Sequence, residues 1–163
     1  MLTRIFPKQI DNNYVGNKLA IWLLVPIVLL RALIGFNSIF FTRTVATSAD
    51  GLPLDSFTAA GAQTVLALFA LLGLFSLLLA LLGLVVLVRY RAMIPFLYLF
   101  LLIQEVGNKA IVLANPIARS ASSDSQAGSI VVLAILAMTF VGFVLSLTRG
   151  VNFLGIKSRR PNT

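Results

Sequence analysis

The chain has 163 residues, 59% of them hydrophobic and only 11% charged, and it carries a net charge of +8. A soluble domain carries roughly a quarter charged residues, so there is too little polar sequence here to coat a globule in water, and the expected surroundings are lipid. The chain contains neither cysteine nor histidine, which excludes thiol–disulfide chemistry, Cys/His zinc sites, cysteine-held iron–sulfur clusters and His- or Cys-ligated haem within it.

In chain order, a polar arm with Arg4, Lys8 and Lys18 leads into an apolar run over Leu19–Phe41, LAIWLLVPIVLLRALIGFNSIFF. About 20 helical residues cross a bilayer core of about 30 Å, so this run predicts a first spanning helix. Pro26 is expected to kink it, and Tyr14, Trp22 and, further on, Tyr90 sit where interfacial aromatics anchor a span. A cleaved leader is not expected, because the polar arm is long, Arg31 interrupts the run, and Thr47-Ser48-Ala49 makes a poor cleavage site. In the polar loop that follows, Asp50-Gly51 signals a turn and Asp55 or Ser56 is placed to cap the next helix. The second span covers Ala60–Val88, with Gly73, Ser76, Ala80 and Gly83 on one arc. Small residues let backbones approach where lipid offers no hydrophobic drive. Packing within the bundle is their favoured use, and a dimer face the alternative.

The basic turn Arg89-Tyr90-Arg91 is so short that the second and third helices must be antiparallel neighbours. The third span, Ala92–Ala114, has Pro95 in its first turn, where proline is tolerated, and it contains Gln104, Glu105, Asn108 and Lys109. A polar loop leads to a fourth span over Gly128–Thr148, with Thr139, Gly142 and Ser146 on one arc. The expected fold is all-α: a four-helix transmembrane bundle that makes residues 1–163 a single integral membrane domain.

Arm, turn and tail (Arg149, Lys157, Arg159, Arg160) place nine cations on one side, against Arg43 and Arg119 on the other, where Asp50, Asp55 and Asp124 also lie. Excess Lys and Arg mark the cytoplasmic side, so both termini are expected in the cytoplasm, the membrane being a bacterial inner (plasma) membrane. The basic residues sit at the edges of apolar runs rather than in a stripe interleaved with aromatics. Anionic lipid headgroups, not nucleic acid, are their expected partners.

At 1.5 Å per residue, Arg31 lies roughly 18 Å and Glu105 roughly 20 Å from the same membrane face. A charge in hydrocarbon costs at least about 2.5–3.5 kcal/mol on insertion scales, so these two are expected to meet inside the bundle. Lys109, one turn beyond Glu105 on the same face, is expected nearer the outer interface. On the first helix Arg31, Gly35, Ser38 and Thr42 form one stripe, and on the third Gln104, Glu105, Asn108 and Lys109 form another. Two readings stay open. One is a polar, ligand-binding pocket lined by Arg31, Ser38, Gln104, Glu105, Asn108 and Lys109 and open away from the cytoplasm. The other is a buried ion pair that fixes helix register, with Lys109 snorkelling to the interface.

No catalytic constellation is legible: the spans hold one carboxylate, no histidine, and no serine beside an evident base. No metal or cofactor is expected.

The stretch LLRALIGFNSIF, with Arg31 and Gly35, resembles the start of the DoxX-like membrane proteins, in which an arginine after apolar residues precedes a glycine one turn later. In that family four short helices follow, with the N-terminus inside. The stretch ALLGLFSLLLALLGL is compatible with their second helix, so the likeness covers about a third of the chain, and the family's glycine-then-lysine continuation after the first helix is absent. The resemblance implies an accessory membrane role, linked in some members to quinone-coupled oxidoreductase or oxidative-stress complexes. The expected function is a small non-enzymatic accessory subunit or small-ligand-binding module, partnered by lipid and by another membrane protein or a second copy. The alternatives are a small secondary transporter that uses Glu105 as a titratable carboxylate, and a DoxX-like redox-complex subunit.

Overall fold

The computed structural model describes residues 5–7, 9–116 and 123–148, with side chains for all of these except 123–129. Arg4, Lys8, Arg119 and the four tail cations lie outside the described residues. Four long helices make up the architecture: α1 (Lys18–Phe40), α2 (Ala59–Val88), α3 (Ile94–Ala114) and α4 (Ser123–Leu147). Each contains a stretch long and apolar enough to cross a membrane, and no strand occurs among the described residues. The fold is an all-α, four-helix membrane bundle.

The helix ends follow local chemistry. Asn17 caps α1 by accepting from the Leu19 amide at 3.0 Å. Neither Asp55 nor Ser56 caps α2, because both lie in a separate 3-10 turn, Leu54–Ser56, where the Ser56 hydroxyl donates to the Pro53 carbonyl at 2.7 Å. Thr58 takes the role instead: its backbone is extended, and its hydroxyl accepts from the Gly61 amide at 3.2 Å. Asp50-Gly51 does form a turn, with Gly51 at φ 65, a conformation that costs glycine little. Pro95 sits in the first turn of α3, and α1 continues through Pro26. Helix α4 begins five residues before the expected Gly128, the added turn being the polar SDSQA.

The closest helix pair is α1 with α2; α4 packs on both α1 and α3. Helices α2 and α3 touch only sparsely, although just the short basic turn joins them. They are antiparallel, but the expected close pairing is loose. Side-chain size gives the reason. Helix α2 turns its buried small residues, Gly73, Ala80 and Gly83, toward α1, where a Cβ on Gly73 would lie 2.7 Å from Ser38 Cβ and one on Gly83 would lie 2.5 Å from Val28 Cγ2. From the other side, a Cβ on Gly35 would come within 2.8 Å of the Gly73 carbonyl oxygen. Between α2 and α3, by contrast, stand Leu82, Val86, Met93, Phe96, Leu97 and Phe100, around an apolar space of about 150 Å³.

The two ends of the bundle differ in covering. At the turn end, the N-terminal arm is tied down: the Ala92 amide donates to the Asp11 carbonyl, the Asn17 amide to the Leu145 carbonyl, and Phe6 packs on Phe96 with ring centroids 5.6 Å apart. Tyr14 is half-buried there and donates to the Asn17 carbonyl at 3.1 Å, and burial pushes its phenol above the ordinary range. At the loop end, a π-helical turn over Val45–Ala49 packs against α4 and α1, with Ala46 fully buried.

Candidate functional site

Arg31 and Glu105 meet. With the observed helix starts they lie about 20 Å and about 17 Å along α1 and α3, so they reach the same level from the same end. The guanidinium Nη2 donates to Glu105 Oε1 in a buried ion pair, and Nη1 donates to Gln104 Oε1 at 2.8 Å. Arg31 is only 4% exposed and Glu105 only 9%. The Arg31 Nε is buried with no hydrogen-bond partner among the described residues. Backbone packing does not bring α1 and α3 together here. The long arginine side chain spans the gap, while the Arg31 carbonyl, on the other side of α1, accepts from Ser76 of α2 at 3.2 Å.

The remaining residues of the two stripes do not converge on this cluster. Ser38 is buried, but its Cβ lies against Gly73 on the α1–α2 seam. Thr42 folds its hydroxyl back on its own helix, onto the Ser38 carbonyl at 2.8 Å. Asn108 is exposed. Lys109 is half-buried, and among the described residues it has no ion-pair partner, Glu105 included. The six residues expected to share a pocket therefore separate into a cluster of three, Arg31, Gln104 and Glu105, one seam residue and two on the loop half of α3. Two cavities among the described residues, of about 150 and 140 Å³, lie elsewhere, between α2 and α3 and under the N-terminal arm.

Chemically, the cluster is a neutral pair with an amide on its flank. It is suited to holding two helices at a fixed register. No group of three or more His, Cys, Asp or Glu placed to hold a metal ion occurs among the described residues. Comparison with protein-family models, with curated proteins and with solved structures finds no match to this chain.

A second link between α1 and α3 was not anticipated from the sequence. Tyr98 is fully buried, and its hydroxyl donates to the Ala20 carbonyl at 2.7 Å. Its ring occupies the place that a side chain at Gly142 would fill. Gly142, on the small-residue arc of α4 with Thr139 and Ser146, is therefore a seat for this tyrosine. One cue was present: a tyrosine inside an apolar run needs a partner for its hydroxyl.

Proposed function

We propose that the chain is a non-enzymatic accessory subunit of a bacterial inner (plasma) membrane, with both termini cytoplasmic, that associates laterally with another membrane protein through the loop half of α3. The observation that carries this reading is the placement of Asn108, an exposed amide about 9 Å from the end of a membrane-length helix. Around it, Lys109 has no ion-pair partner among the described residues, and every residue from Ala110 to Pro116 is exposed. An amide facing hydrocarbon is costly unless it finds a hydrogen-bond partner, and interhelical bonds of this kind join helices in membranes.

The ligand-binding alternative is weaker, because Ser38 lies on the α1–α2 seam, Asn108 is exposed, and the Arg31 guanidinium is already engaged by Gln104 and Glu105. Transport through titration of Glu105 would have to break that pair in each cycle. A DoxX-like redox complex is a more specific form of the accessory role. The resemblance behind it rests on Arg31 and Gly35, both of which have packing duties in this bundle.

A photo-crosslinking residue placed at Asn108 in native membranes tests the reading, with the same residue at the exposed Leu72 of α2 as control. The expected result is a discrete protein adduct from position 108 only. Lipid adducts alone at both positions would refute lateral association through α3.

A further inference from the structure

The space between α2 and α3 is not closed by the bundle. Leu82 and Val86 line it from α2, Phe96, Leu97 and Phe100 from α3, and Met93 from the turn between them. No polar surface lines it, and its volume is about 150 Å³. Val86 and Met93 are the lining residues that flank the turn in sequence, and the residues between them include Arg89 and Arg91, both exposed. Arg89 follows Val86 by three residues at the C-terminal cap of α2, so its backbone lies about 4.5 Å further along the axis than the last α2 residue that lines the groove. The exposed Arg91 donates from Nε to the Leu87 carbonyl at 2.9 Å, a bond that does not use the terminal nitrogens of its guanidinium. Neither arginine has a carboxylate partner among the described residues. The nearest acid of the arm, Asp11, turns its carboxylate to the Asn13 amide at 3.0 Å.

We infer that this groove is a binding site for one anionic diacyl phospholipid, with an acyl chain between α2 and α3 and the phosphate held by Arg89 and Arg91. An apolar slot fits a hydrocarbon chain, and two unpaired guanidiniums where the slot meets the membrane surface fit a phosphodiester, which arginine can hold through paired N–H donors. The charge at the mouth favours an anionic lipid over a helix from a second copy, whose matching turn would bring arginine against arginine. The site also accounts for the loose α2–α3 contact, since the lipid chain supplies the packing that the two helices do not give each other. It requires only that the helices cross a membrane, and it stands apart from any partner on the loop half of α3.

The test uses the full chain in detergent, with binding of phosphatidylglycerol and of phosphatidylcholine of identical acyl chains measured by native mass spectrometry and by thermal shift. Two cations near an anionic surface are expected to give phosphatidylglycerol roughly a 30-fold advantage. The double variant Arg89→Gln/Arg91→Gln, both positions being exposed, should keep its helicity and lose that preference. Leu82→Trp, which fills the groove, should weaken both lipids. Equal affinity of the unaltered chain for the two lipids would overturn the inference, as would a preference that survives the double variant. Equal stabilisation by glycerol phosphate without acyl chains would also overturn it, since the groove would then have no part. A dimer that crosslinks through Phe100→Cys and excludes lipid would overturn it too.

Discussion

In the turn half of the bundle, Ala20, Leu24, Ile27, Val86, Ile94, Leu97, Tyr98 and Leu101 are buried with one another, and the polar link across them is Tyr98 to the Ala20 carbonyl. In the loop half, the link between α1 and α3 is the Arg31–Gln104–Glu105 cluster, and the last turns of α3 are exposed. The first region is joined by shape, the second by charge. Shape contacts in lipid gain from close packing alone and are lost a few atoms at a time. An ion pair between two buried charges is different, because removing one partner leaves the other uncompensated. The loop half should therefore be the more brittle of the two.

The largest expected effect follows from that brittleness. Glu105→Leu leaves the Arg31 guanidinium buried with only Gln104, and a loss of about 3–5 kcal/mol in detergent stability is expected. Next comes the seam that both halves share. Gly35→Val drives a side chain into the Gly73 carbonyl and the Leu77 amide, neither of which can yield without moving α2. A loss of about 1–3 kcal/mol is expected by thermal unfolding, the typical range for overpacking. In the turn half, Tyr98→Phe deletes one buried hydrogen bond while the ring stays seated at Gly142, and the expected loss is about 1 kcal/mol. A larger loss from Tyr98→Phe than from Glu105→Leu would reverse the comparison.

How much of this could be read from the sequence depends on the kind of signal. The first three spans were legible to within a residue or two, because an apolar run of bilayer length admits one structure. Arg31 and Glu105 were legible as a pair, because two opposite charges at one depth in hydrocarbon have few other places to go. The faces of the helices were harder. Helix α2 is apolar nearly all round, so hydropathy cannot separate its lipid side from its protein side, and only the small residues Gly73, Ser76, Ala80 and Gly83 mark the seam. Ser38 shares a wheel position with Arg31, yet an offset of seven positions carries it beyond the reach of the cluster and onto Gly73. Asn108 shares a face with Gln104, but the bundle has ended on that side of α3, so it is exposed. Tyr98 escaped notice because nothing in an apolar run states which carbonyl a hydroxyl will meet.

The smallest expected effect separates a sealed bundle from an open cavity. The chain has no native cysteine, so a single Ser38→Cys can be labelled without background. Ser38 is 5% exposed and seated on α2, so the thiol should resist a membrane-impermeant reagent from either side in folded protein, and stability should change by less than about 1 kcal/mol. Rapid labelling would show a water-filled path along the α1 stripe.

The central claim, that one mutually dependent charge pair joins α1 to α3 in the loop half, is tested most directly by a double-mutant cycle of Arg31→Met and Glu105→Leu in full-length protein, read by unfolding in one detergent. Each single change should cost about 3–5 kcal/mol and the double change far less than their sum, giving a coupling on the order of 2 kcal/mol or more. Losses that add to within about 0.5 kcal/mol would mean that the two residues act independently, and the brace would be wrong.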